Sequence, residues 1–119
     1  MPLRWGLILS MAVLTACAST GTPPVAELSR ARASISQAES AGALRLAPVE
    51  LMAARDKLGR AEAAVREERF APARQLAEAA EADAVLAERK ARAEKAQAAV
   101  AELERSNATL RQEIERRRP

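Results

Sequence analysis

The chain has 119 residues, about a quarter of them alanine and only 2% aromatic, so it has room for one small domain and too little apolar bulk for a large core. With no His, no Tyr and a single Cys, it lacks the usual parts of zinc sites, Ser/His or Cys/His nucleophile pairs and disulfide frameworks, and neither a catalytic residue nor a metal site nor enzyme activity is expected. The formal charge of +3 comes from 19 basic and 16 acidic residues spread along the chain, which reads as a mixed solvated surface with no nucleic-acid partner.

Met1 to Arg4 is a short positive start, Trp5 to Leu14 is an apolar run, and Leu14, Thr15 and Ala16 lead to Cys17. This is the layout of a secretory signal. A permanent membrane-spanning helix is the weaker reading, because spanning takes about 20 apolar residues and this stretch stops at the polar Ser19 to Thr22 segment. The tetrapeptide Leu14-Thr15-Ala16-Cys17 resembles the lipobox of bacterial lipoproteins. That resemblance implies a diacylglyceryl group on the Cys17 sulfur, cleavage of residues 1–16, and acylation of the new amino group, with no other cofactor. It also implies that the lone thiol is consumed as a thioether, and that acyl chains bind the protein to a membrane at ~0.8 kcal/mol per buried CH₂. Ala18 stands where an aspartate resembles an inner-membrane retention signal, so the expected location is the outer membrane, periplasmic side.

Residues 17–23 then form a lipidated tether, and residues 24–92 an alanine-rich helical domain. Thr22, Pro23, Pro24 and Glu27 give a cap and first turn, predicting a first helix from about Pro24 to Ala41 with Leu28, Ala31, Ile35 and Ala38 along one face. Gly42 is placed to stop it. Pro48 marks a second start, followed by a stripe of Leu51, Ala54, Leu58, Ala61 and Val65. Glu27, Leu28, Ala31, Arg32, Ile35 and Ala38 match Glu50, Leu51, Ala54, Arg55, Leu58 and Ala61 at an offset of 23 residues, so the two helices are copies of one pattern. Pro72 predicts a turn near Phe70 and Ala71 and a third helix with Ala77, Ala80, Ala84, Ala87 and Ala91 facing inward. The fold class expected is all-α, an antiparallel helical hairpin or three-helix bundle whose long last helix overhangs it. Pairs Asp56/Arg60, Glu62/Arg66 and Glu88/Arg92 suit i,i+4 contacts worth a few tenths of a kcal/mol each. Asp83 could fall on the buried face, satisfied there by a neighbouring Arg.

Residues 93–119 are the overhang. Val100, Leu103, Asn107, Leu110 and Ile114 follow 3,4,3,4 spacing, with β-branched residues and Asn at one set of positions and Leu at the other. That is the a/d arrangement of parallel two-stranded coiled coils, in which a buried Asn pair fixes register at a cost in stability. A frayed amphipathic tail with Asn107 solvated is the alternative. Arg116, Arg117 and Arg118 complement a helix C-terminus, and also leave open a non-covalent contact with cell-wall carboxylates or lipid phosphates.

The run from Glu27 to Ala87, through Ala31, Ile35, Ala54, Leu58, Ala61, Ala73, Asp83-Ala84 and Leu86-Ala87 and most specifically through Gly42-Ala43 and Ala47-Pro48-x-Glu50-Leu51, resembles a family of small alanine-rich proteobacterial lipoproteins. Their shared helical domain has no assigned function, and in some members it precedes an outer-membrane-protein-A-like peptidoglycan-binding domain. Leu46 stands where that family tends to place an aromatic residue. The functional expectation is a lipid-anchored envelope lipoprotein acting as a periplasmic interaction module or adaptor for another envelope protein, with a self-associating spacer between outer membrane and cell wall as the alternative.

Overall fold

The computed structural model describes residues 21–119, all of whose regular structure is helical. Four helices follow in order: α1 Val25–Ser40, a single turn α2 Ala43–Leu46, α3 Pro48–Arg66, and α4 Phe70–Arg116. The first, third and fourth form a three-helix bundle. Arg32 donates to Glu62 and Arg55 to Glu39, which sets α1 and α3 antiparallel. Arg74 meets Glu27 and Glu81 meets Arg30, so α4 runs parallel to α1; Lys57 meets Asp83 and Lys90 meets Glu50, so it runs antiparallel to α3.

Local chemistry explains most of the boundaries. Pro48 opens α3 where its missing N–H costs nothing. Gly42 sits in the left-handed region at φ +91° and donates its N–H to the Glu39 carbonyl, closing α1 as the sequence predicts. Two expectations fail at helix starts. Thr22 does not cap α1: the helix follows Pro24 with no side-chain cap, and the Thr22 carbonyl instead accepts from Arg74 Nη2 at 3.3 Å. The second turn lies at Glu67–Arg69, upstream of Phe70. There Glu68 takes the left-handed conformation at φ +57°, the Glu68 N–H donates to the Val65 carbonyl, and the Arg69 N–H donates to the Ala64 carbonyl. These are the two bonds of a Schellman motif with a non-glycine residue at its left-handed position, which is why composition gave no warning. Pro72 then lies within the first turn of α4, where N–H groups lack intrahelical partners in any case.

The core is lined by the small residues expected. Leu28, Ala31, Ile35 and Ala38 are buried on α1, and Leu51, Ala54 and Ala61 on α3. Leu58 and Val65 are only half-buried, and Ala64 takes the inward place near the end of α3. On α4 the buried residues are Ala73, Ala77, Ala80, Ala84, Ala87 and Ala91, each with 0% of its surface exposed. These positions are mirror-symmetric along the chain about Ala82, pairing Ala73 with Ala91, Ala77 with Ala87 and Ala80 with Ala84. On α4 every buried residue is an alanine, whose methyl group lets helix axes approach closely at the cost of little area removed from water per residue.

The 23-residue repeat is visible as tertiary symmetry. Arg32 and Arg55 are equivalent positions in the two copies, as are Glu39 and Glu62, so the two α1–α3 ion pairs are exchanged by the repeat. Glu27 and Glu50 are likewise equivalent, and their partners Arg74 and Lys90 each lie eight residues from Ala82. A pseudo-twofold therefore exchanges α1 with α3 and passes through the middle of the packed half of α4. Exposed ion pairs add little stability singly, but here they fix how α4 slides along the hairpin.

Candidate functional site

The packed half of α4 ends at Ala91. From Arg92 to Arg116 the helix continues for roughly 35–40 Å with no fully buried residue. Val100, Leu103, Leu110 and Ile114 are 54%, 63%, 60% and 63% exposed, and Asn107 between them is exposed too. The structure places all five seam residues on this projecting arm. Uninterrupted helix formers carry it, with no Gly or Pro between Ala73 and Arg118. Intrahelical pairs Arg105–Glu102 and Arg116–Glu113 add support, the latter at the helix C-terminus where cations oppose the macrodipole.

The arm's apolar line does not continue the line that packs in the bundle. At 3.6 residues per turn, positions 100, 103, 107, 110 and 114 centre about 140° around the helix from the Ala73–Ala91 stripe. One helix thus carries two faces, one spent on the bundle and the other turned outward. Leu86, half exposed within the packed half, lies on the outward side as well, and its spacing of seven from Ala93 and Val100 is the signal that could have shown it.

The first described residues are tied to the start of α4. Besides the Arg74 contact with the Thr22 carbonyl, a Cβ at Gly21 would stand 3.9 Å from that of Phe70. The arm therefore points away from the end at which residue 21 enters the bundle. Leu14, Thr15, Ala16 and Cys17 lie outside the described residues.

Among the described residues no buried side-chain nitrogen or oxygen lacks a hydrogen-bond partner. Lys57 Nζ donates to Asp83 Oδ2 at 2.6 Å, so Asp83 is half-buried and satisfied by a lysine where an arginine was expected. Asp56–Arg60 and Glu88–Arg92 form along their helices, whereas Glu62 turns from Arg66 to meet Arg32 on α1. Glu27 lies below its ordinary pKa chiefly because its own main-chain N–H donates to it; partial burial opposes this and Arg74 assists. Glu50 is lowered chiefly by the hydrogen bond from Lys90, then by its own N–H, again against partial burial. Among the described residues no group of three His, Cys, Asp or Glu side chains could hold a metal, and no helix is long and apolar enough to cross a membrane.

An alanine-cored helical bundle with a projecting helical arm is the class of protein defined by this architecture. The chain belongs to the family described as a domain of unknown function, DUF4398, which it matches over residues 26–103. The match runs from α1 to Leu103, through the whole bundle and into the arm. No curated protein and no solved structure matches the chain.

Proposed function

We propose that this chain is a lipid-anchored lipoprotein of the cell envelope, held by acyl chains on Cys17 at the periplasmic side of the outer membrane, and that it is a non-catalytic interaction module. The bundle serves as a base and the arm of α4 as the contact element. The observation that carries this reading is the opposition of ends: residue 21 enters beside Phe70, while the exposed Val100, Leu103, Leu110 and Ile114 lie at the far end of a 47-residue helix. A protein tethered at Cys17 would so hold an apolar line up to ~70 Å from its anchored end, reaching toward other envelope components.

Anchoring is tested by Cys17→Ser, which should yield unacylated protein released from membranes; wild-type protein without acyl mass would sink the lipoprotein reading. The contact role is tested by in-cell photo-cross-linking from position 111, in place of Arg111, beside the apolar line. A defined envelope protein in the adduct makes the chain an adaptor. A self-adduct favours the second reading, a self-associating spacer, for which the specific support is Asn107 in the middle of the apolar line.

A further inference from the structure

The geometry points to a second copy of this chain as the occupant of the arm, bound in parallel and in register along Ala93, Ala96, Val100, Leu103, Asn107, Leu110 and Ile114. This deepens the spacer reading above and borrows from it only the shared anchorage at Cys17.

Three features of the molecule converge. First, the seam is turned about 140° from the bundle face, so two arms can zip together with each hairpin on the outer side of its own helix, and no part of the bundle has to move. Arg89, on the same outward side, sets the upstream limit, leaving three heptads from Ala93 to Ile114. Second, Asn107 distinguishes the orientations. In a parallel pair Asn107 meets Asn107 of the other copy and the two amides hydrogen-bond; in an antiparallel pair Asn107 faces Leu103 or Leu110 and its amide is buried without a partner. Third, the flanking positions carry no like-charge conflict in parallel register. There Arg92 would neighbour Gln97 of the other copy, Ala99 Glu104, Ser106 Arg111, and Glu113 Arg118, the last an attractive pair. Because residue 21 enters at the Phe70 end, a parallel pair also brings both anchored ends to one side, where two copies in one leaflet can meet. An antiparallel pair would set them at opposite ends of the assembly.

The test is disulfide cross-linking of the full-length protein in its own membranes, using single substitutions Val100→Cys, Asn107→Cys and Ile114→Cys, with Ala101→Cys and Ala108→Cys on the flank as controls. Under a mild oxidant, each of the three seam variants should give on the order of tenfold more dimer than either control, because only the seam brings like positions within disulfide reach. Adduct from a mixture of Asn107→Cys and Leu110→Cys, with none from Val100→Cys or Ile114→Cys alone, would mean an antiparallel pair and overturn the proposal. So would equal yields at all five positions, no self-adduct, or adducts only with a different protein. Fractionation of the same membranes reads the anchor separately: protein that washes off but keeps the seam pattern defeats the lipoprotein reading alone, and membrane-bound protein without the pattern defeats the seam alone.

Discussion

The two halves of α4 invert the usual rule of burial. From Ala73 to Ala91 the residues wholly removed from solvent are alanines, whereas from Val100 to Ile114 the larger Val, Leu and Ile side chains stand in water. The packed half is held because α1 and α3 approach closely enough for methyl groups to fill the contact. From Val100 to Ile114 the arm is buried by nothing among the described residues, so it keeps its helix through propensity and intrahelical pairs. Burial in this protein follows the geometry of neighbours more than the size of side chains, and large apolar residues are kept for the surface that remains to be used.

The sharpest break in that comparison is a matched truncation. Leu51→Ala removes the largest fully buried aliphatic side chain and should cost about 2–5 kcal/mol of unfolding free energy, measured by denaturant titration. Leu103→Ala, in dilute protein, should change it by less than about 0.5 kcal/mol. A large effect of Leu103→Ala that persists on dilution would show that the arm packs on its own bundle. Next in size is Gly42→Ala at the hairpin tip, where φ of +91° strains any L side chain and the new Cβ would meet Lys95 Nζ at 3.3 Å. It should cost about 1–2 kcal/mol in the same titration.

Gly59→Ala works in the opposite direction. Nothing lies within 4 Å of a Cβ there, in the middle of α3, so relief of backbone entropy should stabilise the bundle by roughly 0.5–1 kcal/mol. Failure to stabilise would mean that propensity contributes less to the hairpin than the arm's persistence implies. The smallest effect is on pH dependence. Glu27 and Glu50 are both lowered in the folded state, so their contribution is present above the pKa of an unfolded glutamate and is lost as pH falls through their folded values. Combining Glu27→Gln with Glu50→Gln should flatten that acid limb of bundle stability. An unchanged limb would show that the two carboxylates which tie α1 and α3 to α4 titrate as they do in the unfolded chain.

Much of the fold was legible because helical periodicity reports faces directly. The buried stripes of α1 and α4, the stop at Gly42 and the start at Pro48 all stand where spacing, glycine and proline put them. The turn at Glu67–Arg69 was not legible, since Glu68 adopts a conformation that glycine usually signals. Nor were the partners of Glu62 and Asp83, because contacts between helices depend on crossing geometry that a one-dimensional pattern does not hold. The five residues of the candidate seam could be read in line, and the helical period also sets their angle from the inward alanine stripe.

By itself, then, the sequence determined that this protein is helical, where most of its helices begin and end, that two of them repeat, and which apolar residues share a line. Those properties follow from local propensity and from periods of three and four, which are written residue by residue. Only the tertiary structure decided that the repeat is a pseudo-twofold clasping α4 at Ala82 and that α4 runs away from residue 21. These are relations between helices, set by how closely methyl-lined faces approach and which charges they bring together.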